Sequence, residues 1–320
     1  MSSNSFKILL IGAGQLGSRY LQGLVNCDIP LKIFVTDPNE NSLVIAQTRW
    51  DEVVNSNSPH TLQFSQTLEG LPAEVDLCLV PTTADVRLSV VEQVLSIACV
   101  HYWILEKVLA QSEEQIDRLE NILSTAEGVW VNTPRRAFSW HQQIYKQLPK
   151  GITWEIDGRD GAWGMACNSI HLIDLIAWWT GEELVSLDTS GLKNWFPSKR
   201  ERFWEVNGKL KVDFSGGSKM ELVAGEGRSN FSLNLKNKKG TWRLEESNGS
   251  FISTDGFSLP GKVEFQSEIT GSLVEQILCQ GKCPLPPLAE SAKMHRKLID
   301  ALLEHWNVDH QSTKTVLPIT

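Results

Sequence analysis

The residues of this 320-residue chain whose types and spacing could do chemistry begin with a glycine cluster. Gly12-Ala13-Gly14-Gln15-Leu16-Gly17 follows the apolar run Phe6–Ile11 directly and opens a helical pattern. In that context Gly-x-Gly-x-x-Gly cradles a dinucleotide. Gly12 permits a tight turn and Gly14 lets the backbone approach a pyrophosphate. Gly17 lets helix and strand pack closely, with Gln15 and Leu16 at the helix N-terminus that faces the phosphates. Asp37 ends the second apolar run about 20 residues further on, where a carboxylate can accept hydrogen bonds from both adenosine ribose hydroxyls. It would also repel the 2′-phosphate of NADP, and only Pro38, Asn39 and Glu40 follow it, with no arginine. The cofactor expected is NAD(H).

Lys107 follows an apolar run at the carboxyl end of an expected parallel strand, where open α/β sheets present ligands. A lysine there can hydrogen-bond a substrate oxygen and exchange its proton as hydride moves; equally, it is a surface lysine paired with Glu106. His171 opens a helical pattern with Asn168 or Ser169 as N-cap and with Asp174 and Trp178 on the same face. On a first turn the positive helix end favours the neutral imidazole, which can accept a proton from a hydroxyl. The alternative is a core histidine, with Asp174 tying the helix to its neighbours. Arg135 and Arg136 could fork onto a phosphate, or be solvated linker charges. Of the 12 tryptophans, Trp140, Trp163, Trp178, Trp179, Trp195 and Trp204 fall in the expected second domain, beyond Asn132. Their faces suit sugar rings, but most are read as core.

The elements that must position these groups change character midway. Strands at Phe6–Ile11, Leu31–Thr36, Val75–Val80, His101–Glu106 and Val129–Val131 alternate with helices around Gln15–Asn26, Asn39–Trp50, Ala84–Ala98 and Ser112–Ala126. Such alternation of continuous apolar strands with helices means a doubly wound parallel sheet, covered on both faces. Beyond Asn132, helices near Ala137–Gln147 and Ser169–Thr180 precede alternating strand patterns at Ile152–Ile156, Lys209–Phe214, Lys219–Ala224, Asn230–Lys236 and Thr241–Glu245. A final helix spans Leu288–Trp306. The expected fold class is α/β: a Rossmann domain over 1–132 and, over 133–320, an α+β domain on a largely antiparallel open sheet for substrate binding and oligomerisation.

The net charge of −8 and pI of about 5.5, without a basic block, give nucleic-acid binding no basis. The six cysteines are read as reduced and buried. Cys279 and Cys283 lack further ligands at zinc spacing, so no metal is expected. Phe6–Ile11 is too short for a signal sequence and no run reaches membrane length, so a cytoplasmic protein without membrane contact is expected.

Several ordered motifs resemble the glucose–fructose oxidoreductase, inositol dehydrogenase and rhizopine-catabolism oxidoreductase family. After Gly12–Gly17 and Asp37, Val80-Pro81-Thr82-Thr83 resembles the family's loop under the nicotinamide ribose, and Glu106-Lys107-Val108 its Glu-Lys-Pro signature. Ser169-Ile170-His171-Leu172-Ile173-Asp174, with Trp178 and Gly181, is similar to its substrate-domain helix. The resemblance implies that Pro81, Thr82 and Glu106 join the cofactor site, that Lys107 and His171 are catalytic, and that Asp174, Arg135, Arg136 and Asn168 face substrate. It implies an NAD(H)-dependent oxidoreductase interconverting a carbinol and a ketone on a sugar, cyclitol or sugar derivative. The alternative is a catalytically silent NAD- or sugar-binding regulator. It further implies homo-oligomers, dimer or tetramer, built by pairing open sheets whose exposed faces are apolar. Val108 replaces the family's proline, Cys167 an acidic residue four positions before the histidine, and Ser169 a glycine.

Overall fold

The computed structural model describes residues 5–227 and 230–320. Its first elements are β1 (Phe6–Ile11), α1 (Gly17–Leu24), β2 (Leu31–Thr36), α2 (Glu40–Asp51), β3 (Thr61–Ser65), β4 (Glu74–Val80), α3 (Ala84–Leu95), β5 (Cys99–Glu106), α4 (Glu113–Ile122) and β6 (Gly128–Asn132). There follow α5 (Ser139–Gln147), β7 (Glu155–Asp160), α6 (Met165–Thr180), β8 (Leu184–Pro197), β9 (Trp204–Phe214), β10 (Lys219–Ala224), β11 (Ser232–Asn237), β12 (Gly240–Glu245), β13 (Ser250–Ser253), α7 (Gln266–Gln280) and α8 (Leu288–Asp309). The chain forms two compact units. One takes the chain up to Ala110, Gln115–Asn132 and Glu264–Glu290; the other takes Gln111–Glu114, Thr133–Val263 and Ser291–Thr320.

The first unit holds a six-stranded sheet in the order β3-β2-β1-β4-β5-β6, parallel throughout. The last four residues of β1, β4 and β5 are all buried, which is why these strands read as unbroken apolar runs. Burying each such aliphatic side chain contributes about 1.5–3 kcal/mol. The sequence reading lacks β3, an edge strand with no buried residue, and α7. That second element returns to pack on α1 through two glycines: a Cβ on Gly23 would stand 2.7 Å from Thr270 Cβ, and one on Gly271 2.9 Å from the Gly23 oxygen.

The second unit holds a seven-stranded sheet in the order β13-β12-β11-β7-β10-β9-β8. Its neighbours are antiparallel except for β7 and β10, which run parallel. Ile156, Leu210, Val212, Met220, Leu222, Leu233, Leu235, Trp242 and Leu244 fill its inner face.

The alternate positions overturn the expected apolar outer face, because on β7, β9 and β10 nearly all of them are charged. Across the strands Asp213 faces Lys219, Lys219 faces Glu155, and Glu155 faces Lys236. Ion pairs link Lys219 to Asp213 at 3.6 Å, Lys236 to Glu155 at 3.4 Å, Lys211 to Asp188 at 3.3 Å and Lys209 to Glu221 at 3.1 Å. The lysines and acids of β7, β9 and β10 alternate with apolar residues at period two, so all of them emerge together on the solvated side. The cysteines also need correcting. All six are free, but only Cys27 and Cys78 are buried, and Cys99 and Cys279 are exposed. Cys99 opens β5 at its amino end, outside the buried half of the strand. Among the described residues no helix is long and apolar enough to cross a membrane.

Candidate active site

The glycine loop links β1 to α1. Gly12 has φ 102°, in the left-handed region that glycine occupies without steric cost. A Cβ on Gly17 would stand 1.7 Å from the Gly12 carbonyl oxygen, so only hydrogen fits there, whereas a Cβ on Gly14 would meet nothing within 4 Å. The space beside Gly14 is therefore an open cradle. Early amides of α1 are tied back to the loop: the Ser18 N–H donates to the Gly14 carbonyl at 2.9 Å, and the Arg19 and Tyr20 N–H groups to the Leu16 carbonyl at 2.9 and 3.0 Å. Leu16 at the N-cap supplies no side-chain acceptor.

Asp37 closes the far side of the loop. Its Oδ2 accepts from the Ala13 N–H at 2.7 Å and its Oδ1 from the Asn39 N–H at 2.8 Å. A carboxylate has about four acceptor positions, so the two anchoring bonds leave capacity for a diol. Pro81 and Thr82, after β4, abut the same loop: Thr82 Cγ2 lies 3.3 Å from where a Gly12 Cβ would stand, and Pro81 Cγ 3.2 Å from that of Gly17. The Thr82 hydroxyl oxygen is buried with no hydrogen-bond partner among the described residues. An open cradle, an anchored carboxylate and an orphaned hydroxyl fit a bound dinucleotide.

Glu106 and Lys107 end β5, the strand beside β4. Glu106 is buried and its Oε1 accepts from the Tyr20 hydroxyl at 2.6 Å and from Asn132 Nδ2 at 2.6 Å. Burial holds its carboxyl above the usual range, against the opposing hydrogen bonds of Tyr20 and Asn132. Its observed partners thus lie within the first unit's own core. Lys107 is the one part-exposed residue of the segment Glu106–Ala110. The Lys107–Val108 peptide is cis, although valine stands where the family resemblance would place proline.

In the second unit α6 starts earlier than the sequence reading has it. It begins at Met165 behind Gly164, whose φ of 73° makes the turn. His171 therefore lies in the second turn, and the expected polarisation by the first turn does not apply to it. Neither Asn168 nor Ser169 is the N-cap; Asn168 donates through Nδ2 to the Trp163 carbonyl at 2.8 Å. The opening turn is instead served by Glu205 on β9. Its carboxylate accepts from the Ala166 N–H at 2.9 Å and from the Cys167 thiol at 2.7 Å, an arrangement the positive helix end favours. Cys167, Asn168 and His171 are half-buried and share one open face of α6, with Cys167 one turn before His171.

The remaining expected substrate contacts are engaged within the unit. Arg136 Nε and Nη2 donate to the two oxygens of wholly buried Asp174 at 3.0 and 2.7 Å. Arg135 makes the same fork onto Glu246 at 2.9 and 2.7 Å, and His141 Nε2 lies 3.0 Å from Glu246 Oε1. Neither arginine is a solvated linker charge. Trp140, Trp179 and Trp195 are core residues, while Trp178 stacks on Tyr145 with centroids 4.7 Å apart.

Three participants escape the motifs. Arg49 on α2 donates to the Gln15 carbonyl oxygen at 3.3 Å and to its Oε1 at 2.8 Å, and also bonds the Ser18 hydroxyl. Glu205 carries no sequence signal. Arg87 does carry one, since it occupies a core-facing position in the buried α3 stripe Ala84, Arg87, Val91, Val94.

No protein-family model matches the sequence, and no curated protein does. Solved structures do match. Myo-inositol 2-dehydrogenase from Lactobacillus plantarum is 16% identical, covering 95% of this chain and 98% of that one, with a TM-score of 0.67. UDP-N-acetylglucosamine 3-dehydrogenase from Acidithiobacillus ferrooxidans is 14% identical over 96% and 98%, at 0.70. Scyllo-inositol dehydrogenase from Lactobacillus casei, solved with NAD(H) and scyllo-inositol, is 16% identical over 96% and 98%, at 0.64. At such identities the likeness is one of architecture, and nearly the whole chain shares the fold of these inositol and nucleotide-sugar dehydrogenases.

Proposed function

We propose that the chain is an NAD(H)-dependent oxidoreductase that interconverts a carbinol and a ketone on a sugar, cyclitol or sugar derivative. One observation carries the reading: three adjacent parallel strands, β1, β4 and β5, deliver the glycine loop, Pro81–Thr82 and Lys107 from their carboxyl ends. That edge is where open α/β sheets take ligands. The inositol dehydrogenase solved with NAD(H) and scyllo-inositol has the same fold, which supports both the cofactor and a polyhydroxylated ring.

The nicotinamide, when bound, supplies the hydride acceptor or donor. The chain's own residues do the rest. The backbone of the glycine loop and the open cradle at Gly14 hold the pyrophosphate, and Asp37 binds the ribose diol and disfavours a 2′-phosphate. In oxidation Lys107 accepts the hydrogen bond of the carbinol hydroxyl and takes up its proton as hydride leaves the carbon, and in reduction it donates that proton to the ketone oxygen. His171, on the open face of α6, is a hydroxyl-binding group that accepts a hydrogen bond. Asp174, Arg135 and Arg136 hold the fold together and do not contact substrate in this reading.

The test is growth of the NADH absorbance band when the protein is mixed with NAD and a panel of cyclitols, sugars, sugar phosphates and nucleotide sugars. At least one ring polyol should be oxidised. A protein that binds NADH but oxidises no member of the panel, and reduces none of the matching ketones, would contradict the proposal.

A further inference from the structure

Lys107 leaves the protein between two buried charged groups. On its amino side, Glu106 is fastened to Tyr20 of α1 and to Asn132 of β6, and Asn132 Nδ2 also donates to Gln266 Oε1 of α7 at 2.9 Å. On its carboxyl side stands Arg87, with no exposed surface at all. Its Nη1 donates to the Val108 carbonyl and, at 2.8 Å, to the Leu109 carbonyl, while Nη2 donates to the Thr82 carbonyl. One guanidinium therefore ties the segment after β5 to the segment after β4, the two segments that flank the cofactor cradle.

A charge in such a place is costly unless its donors are well used. Burial lowers the Arg87 pKa to about 10, against the opposing influence of the nearby carboxyls of Glu106 and Asp85. An aliphatic side chain would continue the α3 stripe of Ala84, Val91 and Val94 without that penalty. What the guanidinium adds is a planar fork that fixes several carbonyls at once, and in the segment after β5 that it so fixes, Glu106–Ala110, the one part-exposed residue is Lys107.

We propose that Arg87 is the positioning residue for Lys107, holding the Thr82 and Val108–Leu109 carbonyls so that the lysine emerges toward the bound cofactor. The inference rests on the reading of Lys107 given above. Arg87 touches neither cofactor nor substrate, so its loss should misdirect Lys107 while leaving the glycine loop and Asp37 intact.

The experiment labels lysines with trinitrobenzenesulfonate, with and without saturating NADH, and quantifies the Lys107 peptide by mass spectrometry. The parent protein, Arg87→Lys and Arg87→Met are compared. In the parent, NADH should slow Lys107 labelling by about tenfold, as cofactor covers the amine. In Arg87→Met that protection should fall to roughly twofold or less while NADH affinity stays within about threefold of the parent. Arg87→Lys, which keeps the charge but not the fork, should lie between and serves if the methionine variant does not fold. Protection unchanged in a folded Arg87 variant would overturn the proposal. Absence of protection in the parent itself, with NADH bound, would overturn the Lys107 reading and this inference with it, so the two failures appear in different proteins.

Discussion

Gly14 and Gly17 differ in what a methyl group would meet, and that difference separates binding from folding. A Gly14 Cβ meets nothing within 4 Å, while a Gly17 Cβ would overlap the Gly12 oxygen at 1.7 Å. Gly14→Val should therefore leave the melting temperature near that of the parent and abolish NADH binding in a calorimetric titration. Gly17→Ala should destabilise by about 3 kcal/mol, since the loop must move to admit the methyl. Asp37 yields the second residue-scale prediction. With both oxygens anchored by backbone N–H groups, its charge stays where a 2′-phosphate would lie. NADH should bind at least about tenfold more tightly than NADPH, roughly 1.4 kcal/mol, and Asp37→Ser should narrow that gap. Equal affinities in the parent would remove Asp37 from this role.

At the scale of elements, β1 and β2 have the limits their apolar runs predict, and β4, β5 and β6 differ only at their ends, because each strand is covered on both faces. Less was legible where local pattern and tertiary need diverge. β8 escapes because its pairing with β9 shifts register at three places, so no alternation of apolar and polar residues persists along it. The start of α6 escapes because Gly164 makes the turn and Glu205, distant in sequence, provides the acceptor that an N-cap side chain ordinarily would. Arg135 and Glu246 join α5 and β12 by the turns beside them, with His141 completing the cluster. Burial works to raise the Glu246 carboxyl, but the charge of Arg135 and the hydrogen bond and charge of His141 outweigh it and hold the group well below its usual range. A carboxyl lowered in the folded state contributes stability above its unfolded value, and that contribution is lost as pH falls toward the folded one. Glu246→Gln should thus cost about 3 kcal/mol near neutral pH. The difference from the parent should shrink in denaturant titrations below about pH 4. A deficit that stays constant with pH would show that packing, not charge, is what the substitution removes.

For the whole molecule, the outer face of the seven-stranded sheet limits what any contact between copies of the chain through that face could be made of. A charged lattice with its ion pairs already made inside one chain offers little apolar area for self-pairing. Association through that face should therefore be electrostatic and weaken as the screening length shrinks from about 30 Å at 0.01 M salt to about 3 Å at 1 M. Light scattering that gave a multiple of 35.8 kDa, unchanged across that range, would place the contact elsewhere. The fold itself carries the central claim, because it sets the glycine loop and Lys107 at the carboxyl ends of β1 and β5, on either side of β4 in one sheet, while keeping their tasks separate. Cofactor affinity should rest on Gly12–Gly17 and Asp37, and proton exchange on Lys107. The most direct measurement compares Lys107→Ala with the parent for NADH affinity and for turnover of whichever ring polyol the parent oxidises. Affinity should stay within a few-fold, while turnover falls about 100-fold or more, the scale of losing a positioned acid–base group. A Lys107→Ala protein that turns the polyol over at near-parental rate would contradict the account.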